Sequence, residues 1–225
     1  MTSEITKRIL TSFGLISLLV FAFFYTYILV ISLIIISTVS WVEFSALISK
    51  IYKKENFKMN FLKSVIKALC LIYLFLFSTL IFGAVTQIDP SLKIHTLFLF
   101  LICICSDVGG FIFGKIFKGK KLTKISPNKT ISGSIGSFIL SLLLVPIFYY
   151  LFNSLYIFDL ICVSVIVSLS CQVGDLFISY LKRRAKVKDT SNILPGHGGL
   201  LDRIDGMLLA IPIGIVSWEY LITAL

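Results

Sequence analysis

Apolar residues run along this chain in long unbroken blocks, separated by short segments that are mostly basic. From Ile9 to Ser49 there are 41 residues, and Glu43 is the only charge among them. As α-helix at 1.5 Å per residue that block is about 61 Å long, twice the ~30 Å hydrocarbon thickness of a bilayer. It predicts two spans back to back with a turn near Tyr25 to Tyr27. A basic segment, Lys50 to Lys67, precedes a third span from about Ala68 to Ile88. After a short loop with Asp89, Pro90, Lys93 and His95, a fourth span runs from about Thr96 to Phe117 with Asp107 inside it. A second basic loop, Lys118 to Thr130, leads to a fifth span (Ile131 to Phe152) that contains Pro146. After the loop Asn153 to Asp159, the sixth span (Leu160 to Leu181) carries Asp175, and a last one runs from about Gly206 to Leu225 with Pro212 predicting a kink. The pattern predicts an all-α polytopic integral membrane protein of about seven transmembrane helices. It reads as a single transmembrane domain over 1–225, with N-terminal helices in 1–95 and the polar motifs in 96–225. Internal repeats and low-complexity segments are absent.

Composition agrees. At 57% hydrophobic, 14% charged and a mean hydropathy of +0.99, the chain cannot supply the polar shell of a soluble domain. The first apolar run follows Lys7 and Arg8, lacks a small-residue cleavage site and passes straight into more apolar sequence, so it reads as a span and not as a cleaved signal peptide. The five cysteines (Cys70, Cys103, Cys105, Cys162, Cys171) sit inside apolar runs without paired zinc spacing, which predicts buried, inert thiols. The formal net charge is +10, and 20 of the 21 Lys and Arg fall on one alternate set of segments, with Lys93 the exception. The positive-inside rule then puts the N-terminus and the three basic segments in the cytoplasm, as in a bacterial-type inner (plasma) membrane. Lysines so placed also meet anionic headgroups, at ~1 kcal/mol each. Their dispersal between spans argues against nucleic acid as a partner.

The polar residues that remain are concentrated from Ser179 to Asp205, where five basic residues fall within seven positions and a Pro-Gly-His-Gly-Gly turn follows. Asp107 and Asp175 lie within apolar spans, where a carboxylate costs on the order of 3 kcal/mol and usually faces a polar cavity with a function. Gln172, Asp175, Ser179, Lys182 and Arg183 fit one helical stripe, polar within the membrane and cationic at its surface. The plainer alternative makes Asp175 the structural partner of a basic residue. Asp202 and Asp205 are three apart and share a face if the helix has begun. Such acids are often only a helix cap, but with Asp175 they suit Mg²⁺, which takes one or two carboxylates plus substrate phosphates. Gly196, Gly198 and Gly199 allow positive φ and close approach, so that peptide N–H groups and the following helix N-terminus can meet phosphate oxygens, with His197 set among them. In the second basic loop, Lys118, Lys120, Lys121, Lys124 and Lys129 flank Ser126-Pro127-Asn128, and Gly133 and Gly136 open the next helix. That loop is either a solvated topogenic segment or a second anion-binding edge. Carboxylates for a metal, lysine-rich loops for polyphosphate and a bilayer to deliver lipid together fit phosphoryl or nucleotidyl transfer to a lipid phosphate. Two other classes remain open: a secondary transporter relaying ions through its intramembrane acids, which predicts repeats that are not found, and a lipid-phosphate-binding scaffold without turnover.

At these residues the chain resembles the phosphatidate cytidylyltransferases, or CDP-diacylglycerol synthases. The family's spaced signature of Ser, Lys-Arg, Lys-Asp, His-Gly-Gly and Asp-Arg-x-Asp is met by Ser179, Lys182-Arg183, Lys188-Asp189, His197-Gly198-Gly199 and Asp202-Arg203-Ile204-Asp205. Gln172-Val173-Gly174-Asp175, Asp107 through Gly114-Lys115, and Ser126-Pro127-Asn128-Lys129-Thr130 resemble earlier motifs, so the likeness covers about Asp107 to Gly206. Arg8-Ile9-Leu10-Thr11 and Trp41-Val42-Glu43 are fainter echoes. Where members usually carry an acid before the glycine after Ser-Pro, this chain has Ser132, and it is shorter than many members. The resemblance implies attack of the phosphatidate phosphate on the α-phosphorus of CTP, giving CDP-diacylglycerol and pyrophosphate, with Mg²⁺ required. It implies Asp175 and Asp202 as metal ligands, with Asp205, Lys182 and Arg183 beside them as catalytic residues. Asp107, Ser126, Asn128, Lys129, Ser179, Lys188, His197, Gly198, Gly199 and Arg203 are the implied contacts to substrate. A homodimer among membrane lipids is implied too, and nothing in the composition speaks to it.

Overall fold

The computed structural model describes residues 2–53, 56–87, 90–123, 125–152, 157–196 and 198–223. These form eight helices: α1 (Thr2–Phe24), α2 (Thr26–Ile51), α3 (Phe57–Thr86), α4 (Pro90–Phe117), α5 (Ile131–Leu142), α6 (Val145–Phe152), α7 (Ile157–Arg184) and α8 (Leu201–Thr223). Among the described residues there is no strand, only the isolated bridges Lys121 to Thr130 and Leu194 to Gly198. The all-α expectation holds. Five segments are long and apolar enough to cross a membrane: α2, α3, Ser91–Phe117 of α4, Ile131–Phe152 and α7. In α1 the apolar stretch Phe13–Phe24 is shorter, and the first turns of α8 carry Asp202, Arg203 and Asp205.

Several boundaries differ from the expected ones for physical reasons. The first apolar block does break at Tyr25, whose extended backbone precedes α2. The segment from Lys50 is less of a loop than its charge suggests, because Lys58, Lys63 and Lys67 lie in the first turns of α3. Lys93 and His95 likewise belong to α4, which Pro90 opens with a fixed φ and no N–H to satisfy. The fifth span is not one helix. Pro146 cannot donate to Leu142 and its ring crowds that carbonyl, so the chain turns at Leu143 and Leu144 and restarts as α6. Pro212, by contrast, stands inside a continuous α8.

The contacts divide the chain into two compact units, each assembled from separated stretches. The first comprises 1–87 with 181–204, and the second 88–180 with 205–225. In the first, α2 packs on α1 and α3. Trp41 Nε1 donates to the Lys67 carbonyl at 3.1 Å, and Ser37 and Ser78 share a 2.6 Å hydrogen bond. In the second, α4 and α5 meet through small residues. A Cβ on Gly133 would lie 2.7 Å from the Gly110 carbonyl oxygen, and one on Gly136 would collide with Phe113. Apolar side chains gain little by leaving lipid for a helix interface, so close backbone approach of this kind supplies the packing energy. Ser137 Oγ adds a bond to the Ser106 carbonyl at 2.6 Å. A buried aromatic cluster completes this unit: Phe98 packs on Phe148, and His95, 1% exposed, stacks on Trp218 with ring centroids 3.7 Å apart. His95 is therefore a core residue and not a loop residue.

Candidate functional site

The polar stretch is built around Asp202 in the first unit. α7 ends in a Schellman turn: Val187 N–H donates to the Lys182 carbonyl at 3.0 Å, Lys186 N–H donates to Arg183 at 3.1 Å, and Lys186 takes φ 58. The chain reverses there and returns as α8. Lys182 Nζ donates to Asp202 Oδ1 at 2.7 Å, the two side chains being 12% and 4% exposed. Asp202 Oδ2 accepts from Thr190 N–H at 2.8 Å and Gly199 N–H at 3.0 Å, and it lies 3.0 Å from Thr190 Oγ1, whose one proton it competes for. Burial pushes the Asp202 carboxyl up, but the Lys182 hydrogen bond, the Thr190 N–H, the Lys182 charge and the Gly199 N–H outweigh it and hold the group below its ordinary range. Gly196 (φ 78) and Gly198 (φ 82) supply the positive φ foreseen for the turn, which Leu194 N–H closes onto the Gly198 carbonyl at 2.9 Å.

A second carboxylate organises the same loop, and it comes from α2. Glu43 is 2% exposed. Its Oε1 accepts from Ser191 Oγ at 2.5 Å and Leu200 N–H at 3.0 Å. Its Oε2 accepts from Thr190 Oγ1 and Leu201 N–H, both at 2.8 Å. Gly199 is required here for space: a Cβ would lie 2.6 Å from Glu43 Oε2 and overlap the Thr190 hydroxyl. The amides of Gly199, Leu200 and Leu201, expected to face phosphate, are thus turned onto the chain's own Asp202 and Glu43, because a buried carboxylate must be matched by donors. Glu43 was absent from the expected site, although its signal was present. It is the lone charge in a 41-residue apolar block, the same cost that singled out Asp107 and Asp175.

The second unit holds the other acids. Asp175 forms an ion pair with Lys129 and accepts from Ser179 Oγ at 3.2 Å, so the stripe along α7 is real over these residues. Gln172, one turn earlier, accepts from Ser134 Oγ at 2.5 Å. Asp107 is exposed on α4, and the Cys171 thiol donates to it at 3.7 Å, so this thiol touches a polar motif residue. Asp205 is buried, with Oδ1 accepting from the N–H of Gly206 at 2.8 Å. Lys129 N–H closes a turn onto the Ser126 carbonyl at 3.1 Å, leaving Asn128 exposed at the tip. Ser132 accepts from Gly119 N–H at 3.3 Å and bonds Thr130 at 3.1 Å, while Thr130 caps α5 through Gly133 N–H. A cleft of about 370 Å³ lined by Lys121, Leu122, Thr123 and Pro127 opens beside this turn. Arg183, Lys188 and Arg203 are exposed in the first unit. His197 and Lys124 lie outside the described residues.

Long apolar helices mark an integral membrane protein, and each of its two units holds a lysine-paired carboxylate. The chain belongs to the cytidylyltransferase family, whose model matches residues 2–221. It is 45% identical over 122 residues to a phosphatidate cytidylyltransferase of Staphylococcus haemolyticus, covering 53% of this chain and 46% of that protein. It is 40% identical over 138 residues to one of Rickettsia prowazekii, covering 56% of this chain and 59% of that protein. The chain thus spans about half the length of the curated relatives it matches.

Proposed function

We propose that this protein is a CTP:phosphatidate cytidylyltransferase. A phosphate oxygen of phosphatidate attacks the α-phosphorus of CTP, the bond to the bridging α–β oxygen breaks, and pyrophosphate leaves as CDP-diacylglycerol forms. The observation that carries this reading is the signature from Ser179 to Asp205, in which Lys182, Thr190 and Gly199 converge on Asp202. The relatives named above support it. A general base is unnecessary, since a phosphate monoester is already anionic at neutral pH. Lys182, Arg183, Lys188 and Arg203 are the cations we assign to the phosphates, with Lys129 as the second edge.

The required cation in this reading is Mg²⁺. Among the described residues no three His, Cys, Asp or Glu side chains gather as an all-protein cage. One or two carboxylates bind Mg²⁺ together with substrate phosphates and water. The candidate ligands are Asp175 and Asp202. Asp202 Oδ2 is held by two backbone N–H groups and shares the Thr190 hydroxyl with Glu43, whereas Oδ1 meets only Lys182, so Oδ1 has the remaining capacity. When bound, the ion neutralises phosphate charge. The chain's own work is to orient Asp202 and to present cations to the departing pyrophosphate.

The finer topology is part of the proposal: seven spans, with α1 and the part of α8 from about Gly206 added to the five segments above, and the basic segments in the cytoplasm of an inner or plasma membrane. The distribution of Lys and Arg supports that orientation. A homodimer is the assembly to look for. The experiment follows label from CTP into lipid, using purified full-length chain, Mg²⁺ and phosphatidate. Asp175→Asn and Asp202→Asn are each expected to lower turnover by ~100-fold or more. Near-normal turnover in either removes that residue from the metal site. Uptake without incorporation would indicate the transporter, and binding without either would indicate the scaffold.

A further inference from the structure

Glu43 deepens this reading and rests on it. We infer that Glu43 is a positioning residue, a buried carboxylate in α2 that clamps the 190–201 loop and, through Thr190, sets the orientation of Asp202. The carboxylate has four donors, all from one short stretch of chain: Thr190, Ser191, Leu200 and Leu201. Thr190 is shared. Its hydroxyl oxygen lies 2.8 Å from Glu43 Oε2 and 3.0 Å from Asp202 Oδ2, and its N–H also holds Asp202 Oδ2. A hydroxyl has one proton to donate, so Thr190 couples the two carboxylates instead of serving either independently.

Position supports the assignment. Gly199 admits the Glu43 carboxylate where any side chain would exclude it, and the next two amides, which open α8, end on that carboxylate. One buried acid thus occupies the anion site at the N-terminus of α8, while Asp202, on the first turn of that helix, accepts the Gly199 amide. A helix end and a loop fixed in this way hold Asp202 in one rotamer, leaving its Oδ1 toward Lys182. Preorganisation of this kind reduces the reorganisation needed when substrate binds.

Two measurements on the full-length protein test the clamp. Amide hydrogen exchange, followed in peptides spanning 189–202 without CTP or Mg²⁺, is expected to accelerate at least tenfold in Glu43→Gln, with α4 and α5 unchanged. Should that variant not fold, Ser191→Ala takes its place with a smaller acceleration of about threefold. Label transfer then compares Thr190→Val with Thr190→Ser. Valine keeps the shape and loses the hydroxyl, so half-saturating Mg²⁺ and CTP are expected to rise tenfold, while serine restores both to within twofold of wild type. A role in folding alone would lower the active fraction without moving half-saturation. Unchanged exchange in the Glu43 variant (or in Ser191→Ala if it is used), or unaltered half-saturation in Thr190→Val, overturns the inference. If wild-type protein transfers no label, the proposed reaction fails, and the exchange experiment still decides the clamp.

Discussion

Adding one methyl group at Gly199 should cost more than removing most side chains elsewhere. An alanine Cβ there would stand 2.6 and 2.9 Å from the two Glu43 oxygens and overlap Thr190 Oγ1. Ordinary contact begins near 3.4 Å, so the carboxylate must retreat by about 0.8 Å. It cannot do so freely, because four donors hold it. Overpacking costs about 1–3 kcal/mol, and losing one hydrogen bond to a buried charge costs about 1.5–3 kcal/mol. Lower entropy of the unfolded chain returns about 0.4–1 kcal/mol. Central values give a net loss of about 3.5 kcal/mol, or a fall in Tm of about 7–14 °C for a chain of this size. Thermal unfolding of purified Gly199→Ala measures it, with Gly83→Ala as the control. At Gly83, in the last turn of α3, an added Cβ meets nothing within 4 Å and alanine gains up to about 1 kcal/mol of helix propensity, so the two substitutions should shift Tm in opposite directions. Equal Tm values for Gly199→Ala and wild type would refute the described packing of Glu43 against this turn.

Two more outcomes follow from the geometry. Asp202 is held below its ordinary pKa in the folded chain, so it adds stability at pH above the unfolded value of about 3.9 and loses it as pH falls through the folded value. Thermal unfolding between pH 3 and 7 should show stability falling below about pH 4 in wild type, with a flatter profile in Asp202→Asn. At the α4–α5 interface, Gly136→Ala drives a methyl into Phe113 and should lower stability by about 1–3 kcal/mol, whereas Ser137→Ala removes one hydroxyl bond worth about 0.6 kcal/mol. Chemical denaturation in detergent ranks the pair, and a larger effect from Ser137→Ala would contradict close backbone packing as the main source of cohesion.

Helix content was legible because apolar blocks of membrane-spanning length leave few alternatives, and the break at Tyr25 followed from length alone. The division at Leu143 and Leu144 was less visible, since Pro146 can kink a helix or end it, and packing decides which. A basic partner for Asp175 is the plainer alternative that the sequence offers, but Lys129 as that partner is not readable from it. The polar signature was readable in its residue types, but the destination of its amides was not. Glycine spacing shows that backbone N–H groups are presented, and only the fold shows that Glu43 receives two of them. His95 was misread for a related reason: position near a loop says little about burial when the helix starts five residues earlier.

The anchor of the signature loop lies far from it in the chain. Glu43 and its four partners are 147 to 158 positions apart. During synthesis, α2 is therefore made long before any of the groups that satisfy its charge, and the first unit closes only once residues 190–201 have been added. Every chain shorter than 190 residues lacks all four of the groups that hold this acid in the finished fold. A fragment beginning at residue 88 would carry the whole signature yet lack its anchor, so dissecting this protein at its most recognisable motif would separate the motif from what shapes it.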